Sequence, residues 1–548
     1  MNKHFYATAQ LVAHRRKTIT YQPDTLEETQ KEIQTWLKDP FIVRNIRQLT
    51  LTGDVRQPLQ SDGKPDPLDL TLMWAPLVEL IAQAARLVKL DFNCRSAPFP
   101  LELLEALQTY HPQVKLYLWD YYRDEELDHT DAAERALAVS PVLRGIRANG
   151  WTKGGGAPID LRIAAFQRIV ANAPNLEFAS ITQGQSGCIV HYQEPEDQVR
   201  EHEAAAKFFL ASRGPNTSVR KLILDGFSLN KATLIEWGKH VSLPHLDDLK
   251  CSRGLPESTY FELAPSILTN LKHVSLNLSN ASRHLETPAL VEQYLATCAP
   301  LETLSLWSWT GVVSLDTILK HGQHLKTLEL HEREALNLGT RRSLLSIEEL
   351  RRIRNECPRL EDLTLDMDRE NADWHHDLDH HEEMLQEIAR FGKRLRRMQI
   401  YLDLGVANRI AGWHGPATSS QVPNTHLPGK VDEGQHGGGT AGDTVTPSAE
   451  HLYRGPFNPP SRPEMRKHGV QLWKVIFGDP MRTGPRELDI KWGEWERKIG
   501  AGYPAHWVRW EYKNRRYVRV RPEERDDKPG EAIAHVVGGH GEADPDSD

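Results

Sequence analysis

The residues best suited to chemistry lie between Asp373 and Glu383, where the chain reads Asp-Trp-His-His-Asp-Leu-Asp-His-His-Glu-Glu. His376 and His380 are four apart, so on a helix they share one face and offer two imidazoles to a divalent metal, with Asp373 or Glu383 supplying oxygen. The same stretch also reads as the solvated first turn of a helix running through Met384, Ile388 and Phe391, because acidic residues favour a helix N-terminus. A metal-dependent enzyme centred on 373–383 is the alternative reading, but no H-E-x-x-H occurs and spacing fixes no third ligand. Gly154-Gly-Gly156 lacks the order of a phosphate loop, and Gly184-Gln-Ser186-Gly187 fails the G-x-S-x-G nucleophile pattern. No catalytic residue, cofactor or metal site is therefore assigned, and the expectation is a protein that is not an enzyme.

A second chemistry sits near the end of the chain. Trp507, Trp510, Tyr512 and Tyr517 interleave with Arg509, Lys513, Arg515, Arg516, Arg519 and Arg521 in what reads as a β-hairpin turning near Asn514. Basic groups among aromatics suit phosphate contact and base stacking. The net charge of -8 disfavours nucleic acid for the whole chain. A hairpin with aromatics on one face and charges on the other also covers the open end of a repeat stack, and that is the favoured reading.

The elements that must position such residues come from a repeated phrase. Leu301-Glu-Thr-Leu304-Ser-Leu306, Leu325-Lys-Thr-Leu328-Glu-Leu330 and Leu360-Glu-Asp-Leu363-Thr-Leu365 all read L-x-x-L-x-L, the strand of a leucine-rich repeat. Further copies fall at Ile46/Leu49/Leu51, Leu87/Leu90/Phe92, Leu143/Ile146, Leu176/Ala179/Ile181, Val219/Leu222/Leu224, Leu246/Leu249/Cys251, Leu271/Val274/Leu276 and Leu395/Met398/Ile400. At Val114 two facings stay open, Val114/Leu116/Leu118 or Val114/Tyr117/Trp119. Pro112, Pro141, Pro174, Pro244 and Pro358 each stand two residues before a first apolar position, where proline ends a helix and turns the chain toward a strand. Steps between copies run from 24 residues (Leu301 to Leu325) to 43 (Leu176 to Val219), so the longer ones hold full helices, as at 161–172 and 201–212.

The expected fold is α/β: a leucine-rich-repeat solenoid, or horseshoe, with a parallel sheet on the concave side and helices on the convex side. Residues 1–41 read as an N-terminal helical cap with a helix over 24–37 that Pro40 stops, and 42–411 as the irregular solenoid. Residues 412–466 read as a flexible Gly/Pro-rich insertion, 467–522 as a terminal repeat and hairpin cap, and 523–548 as a disordered acidic tail. Cys94, Cys188, Cys251, Cys298 and Cys357 are odd in number and far apart, which argues against a disulfide framework. No membrane span or secretory leader is legible, so an intracellular place, cytoplasm or nucleus, is expected.

Function is then sought in the residues between the inner leucines, which point out of the concave sheet. They are Thr303, Ser305 and Trp307; Thr327, Glu329 and His331; Asp362, Thr364 and Asp366; and Arg397, Gln399 and Tyr401, with Asp225 and Asp248 earlier. Trp307, His331 and Tyr401 are the expected anchors for a protein partner. Replacing Asp362, Asp366 and Glu329 together is expected to abolish capture of that partner with the fold intact.

The irregular repeats, above all Cys357-Pro-Arg-Leu360-Glu-Asp-Leu363-Thr-Leu365 and Cys298-Ala-Pro-Leu301-Glu-Thr-Leu304-Ser-Leu306, resemble those of the F-box leucine-rich-repeat proteins of filamentous fungi. The resemblance covers roughly Ile42 to Leu404 and the terminal repeat Val470 to Trp495. It implies a substrate receptor of a ubiquitin ligase, with an F-box docked on a Skp1-type adaptor and the repeats holding a protein ligand. Residues 1–41 show no Leu-Pro-x-Glu-[Ile/Leu] opening of an F-box, so adaptor binding is not carried onto any residue here.

Overall fold

The computed structural model describes residues 14–22, 25–54, 70–95, 98–121, 132–150, 161–183, 214–225, 227, 229–250, 256–279, 281, 286–332, 343–367, 382–402, 462–478, 486–492, 516–522 and 532–537. The chain divides into two compact units, the first holding residues 1–303 and 311–313, the second 304–310 and 314–548. Both are α/β, with strands that pair in sequence order and alternate with helices, a repeated architecture of the solenoid kind.

In the first unit the strands are β1 (Arg16–Tyr21), β2 (Gln48–Asp54), β3 (Lys89–Arg95), β4 (Lys115–Tyr121), β5 (Leu143–Gly150), β6 (Phe178–Gln183), β7 (Lys221–Asp225), β8 (Asp248–Lys250) and β9 (His273–Asn277). All neighbours are parallel. Leu49 and Leu51, Leu90 and Phe92, Ala179 and Ile181, and Leu222 and Leu224 are buried, as the repeat phrase requires. The residues alternating with them form the other side of the sheet, its open face. Helices return the chain between strands, and neighbouring ones pack in order, Leu70–Gln83 on Leu101–Tyr110 and Ser258–Ile267 on Thr287–Thr297.

The helix expected over 24–37 spans Leu26–Leu37, and that over 161–172 spans Leu161–Asn172. Residues 1–41 are more than a helical cap, because β1 precedes that helix and pairs with β2 along its length. Its alternation is Ile19 and Tyr21 in, Thr18 and Thr20 out, a two-residue period too short to resemble L-x-x-L-x-L. Pro40 opens a further helix, Pro40–Asn45, for which Asp39 is the N-cap, accepting from the Phe41 amide at 2.9 Å.

The second unit carries β10 (Thr303–Trp307, all but its first residue), β11 (Thr327–His331), β12 (Asp362–Met367), β13 (Arg397–Leu402), β14 (Glu487–Trp492), β15 (Arg516–Pro522) and β16 (Ala532–Val537). Pairing is parallel from β11 to β14, then antiparallel through β15 and β16. Ser346 begins the helix Ile347–Glu356 with a full capping box to Glu349, and Pro358 follows its end. The long helix Arg462–Phe477 packs on β14 to β16, and Gly469 makes that approach close: a Cβ there would lie 2.9 Å from Val520 and 3.0 Å from Val518.

Three expectations for this end change. The helix starts inside the segment read as an insertion to 466, and β16 lies inside the segment read as a disordered tail. Both flanks of β15 are taken, by β14 and β16, and the hairpin expected about Asn514 has its first strand outside the described residues. On β15, moreover, Tyr517 and Arg519 share one face while Val518 and Val520 fill the core, so aromatic and charge are not on opposite sides. The helix over 201–212 and the insertion 412–461 lie outside the described residues.

Two regularities hold the strand starts in register. The residue just before the first apolar position of one repeat donates to the proline carbonyl of the repeat before it: Asn175 to Pro141 at 2.9 Å, Ser218 to Pro174 at 2.7 Å, Asn270 to Pro244 at 2.7 Å and Arg394 to Pro358 at 3.0 Å. The residue just after that apolar position alternates in charge, Arg144, Glu177, Arg220, Asp247, Lys272 and Glu302 in the first unit, and Lys326, Glu361 and Arg396 in the second. Within each unit, each amide in these series after the first bonds the carbonyl of the residue before it, from Glu177 on Arg144 at 2.8 Å to Arg396 on Glu361 at 2.7 Å. Exposed pairs of this kind add little stability, but a strand out of turn would set like charges side by side.

Candidate functional site

The open face of the second unit holds the residues singled out by the repeat phrase, and most are already bonded to one another. Glu329 accepts from Ser305 Oγ at 2.6 Å and from Trp307 Nε1 at 3.1 Å. Thr327 donates to Asp362 at 3.4 Å, and Arg397 pairs with Glu487 at 3.3 Å. Thr303 shares a 2.9 Å hydrogen bond with His273 Nδ1 within the first unit. Thr364 and Gln399 lie side by side in the register and are partly exposed.

His331, Asp366 and Tyr401 are not surface anchors. They are 0%, 5% and 1% exposed, and Ser305 is buried with them. His331 and Tyr401 stand two strands apart, which places their backbones roughly 10 Å apart, yet their rings stack at 3.9 Å. They lean together over Asp366 on the strand between, whose carboxylate takes a 2.7 Å hydrogen bond from His331 Nδ1 and another from the Glu332 amide. Trp307 meets His331 edge-on at 5.0 Å, and Lys491 sits beyond Tyr401 at 5.1 Å from its ring. Counting residues along a strand tells which side chain faces out; it does not tell that large neighbours close over it. Removing Asp362, Asp366 and Glu329 together would therefore disturb the scaffold as well as the surface.

The terminal basic stretch behaves likewise. Asp489, 3% exposed, accepts from Arg519 Nε at 2.8 Å and Nη2 at 3.2 Å and from the Tyr517 hydroxyl at 2.8 Å. That shared carboxylate raises the pKa of Arg519, and burial followed by Asp489 raises that of Tyr517. Trp507, Trp510, Tyr512, Lys513 and Arg515 lie outside the described residues, as do His376, His380, Asp373, Gly154–Gly156 and Ser186. Among the described residues no group of three His, Cys, Asp or Glu side chains could hold a metal. Burial pushes the thiols of Cys94 and Cys357 up to about 12 and that of Cys298 to about 11, so each is a packed thiol rather than a nucleophile.

The first unit presents a different open face, centred on β4. Of the two facings left open at Val114, the alternating one is found: Val114, Leu116 and Leu118 are buried, and Tyr117 and Trp119 stand outward, both partly exposed. Their rings are parallel within 7° at 5.7 Å, and Phe178 of β6 lies 5.8 Å from Trp119. Gly145 on the strand between makes room, since a Cβ there would fall 2.5 Å from the Tyr117 ring and 3.3 Å from Phe178.

Beneath this floor Asp91 accepts from Trp119 Nε1 at 2.8 Å and Gln48 Nε2 at 2.8 Å and pairs with Lys89 at 2.8 Å, while Lys89 stands 4.9 Å from the Tyr117 ring. Burial, then Glu177 and Asp91, raises the Tyr117 pKa against the pull of Arg144, so the phenol stays a donor at neutral pH. Asp248 is buried against Lys221 at 2.7 Å, and Asp225 is partly exposed. The aromatic floor was missed in the sequence, although Gly145 inside a strand phrase was a signal of close approach.

No family model matches this chain, and no curated protein gives a significant sequence match. Among the described residues no helix is long and apolar enough to cross a membrane.

Proposed function

We propose that the chain is a non-catalytic scaffold that binds a protein through the open face of a leucine-rich-repeat horseshoe. The carrying observation is the floor of Tyr117, Trp119 and Phe178: three aromatic side chains partly exposed in the middle of a sheet and held from below by Asp91 and Lys89. Pre-fixed aromatics surrounded by polar residues are what dominate binding energy at protein interfaces. Repeated strand–helix order and buried L-x-x-L-x-L positions support the repeat reading.

The test is affinity capture with Tyr117→Ala/Trp119→Ala against the unmodified chain, with mass spectrometry of what is retained. Specific proteins should disappear from the variant while its unfolding midpoint moves little. The same set on both would refute binding through this floor. Service as a substrate receptor of a ubiquitin ligase adds a further expectation, recovery of a Skp1-type adaptor independent of Tyr117 and Trp119.

A further inference from the structure

Resting on that reading, we infer that the floor on β3 to β6 takes a short, extended, acidic peptide segment: one large apolar side chain on the rings, with a carboxylate on either side. The argument is charge complementarity. Of the cations around the floor, Lys89 is committed to Asp91, and Arg144 lies 3.9 Å from Glu177 and donates to the Asn175 carbonyl at 3.0 Å. Lys115 and Arg147 are exposed and pair with no carboxylate among the described residues.

Their placement sets the spacing of the ligand. Lys115 is two residues before Tyr117 on β4, and Arg147 is two residues beyond Gly145, the register partner of Tyr117 on β5. The two cations therefore bracket the rings over four residues of strand, roughly 13 Å at about 3.3 Å per residue. An extended peptide has the same rise, so acidic residues about four apart reach both cations while a side chain midway lies on the floor. Tyr117 adds a hydroxyl donor at the floor itself. Single-stranded nucleic acid also stacks on aromatics, but two uncommitted cations in a chain of net charge -8 suit a few carboxylates better than a run of phosphates.

Full-length protein is titrated, with fluorescence anisotropy as readout, against a labelled dodecapeptide of glycine and serine that carries one tryptophan between two glutamates four apart. A second peptide has glutamine for both glutamates, and oligothymidylate is a third probe. The acidic peptide should bind best, weaken in high salt, and lose about threefold to tenfold in affinity with Lys115→Gln/Arg147→Gln. Equal binding of the glutamine peptide, no binding of the acidic one, or tighter binding of oligothymidylate overturns the inference. Only failure of both peptides, joined to an unchanged capture set for Tyr117→Ala/Trp119→Ala, removes the protein-binding reading as well.

Discussion

Trp119 and Trp307 stand on open faces of the same kind, and each gives its indole N–H to a carboxylate of another strand, Asp91 and Glu329. Around Trp307 the next side chains, His331 and Tyr401, lean together and shut Asp366 beneath them. Around Trp119 the next side chains, Tyr117 and Phe178, spread over a glycine and remain partly exposed. The same anchoring bond thus serves a closed lattice in one unit and an available surface in the other. What separates them is the strand between, which carries a carboxylate to be buried in one case and no side chain in the other.

The comparison breaks most readily at Asp366. Asp366→Ala takes their shared acceptor from the buried His331 nitrogen and the partly buried Glu332 amide, at a cost of about 2–4 kcal/mol. Urea unfolding of the second unit's transition measures it; a loss below about 1 kcal/mol would show that the lattice is not what holds those strand ends. On the other face Gly145→Val should cost about 1–3 kcal/mol by overpacking and tilt the Tyr117 ring. Binding of the acidic peptide should fall with it, while Thr50→Val nearby should change neither. A smaller effect is expected at the strand starts, where Asn175→Ala removes the donor to Pro141 and should cost about 1 kcal/mol. Stability unchanged to within a few tenths would mean that water replaces the amide there.

The alternation of strand and helix was legible because burial of leucine, isoleucine and valine imposes a period, and the period survives insertions between strands. The alternating charges from Arg144 to Glu302 were equally present in the sequence, but they show only after the repeats are aligned on their strands. The site was less legible for a physical reason. Outward facing follows from counting along one strand, whereas exposure depends on neighbours separated by 24 residues or more, such as Trp307 and His331. Alternation along their strands therefore turns His331 and Tyr401 away from the core leucines, and their neighbours then bury them. Tyr117 and Trp119 were hidden by an ambiguity of one residue in facing, which the burial of Leu116 and Leu118 resolves.

Acid–base behaviour sharpens the contrast by the least amount. In the second unit burial raises the Glu332 pKa, with the Thr310 amide opposing and Asp366 adding, and burial raises that of Asp362 against Arg397 and Thr327. A carboxyl whose folded pKa lies above its unfolded value holds its proton more tightly in the native state. Between those two values the folded chain binds more protons, so stability falls as pH rises from the ordinary carboxylate range through the raised one, and levels off above it. Glu332→Gln with Asp362→Asn should flatten that descent and leave the double variant the more stable at neutral pH. Unfolding midpoints in urea across a pH series from the ordinary carboxylate range upward would show it. An unchanged slope in the double variant would move its origin to other carboxylates and leave the closed lattice indifferent to pH.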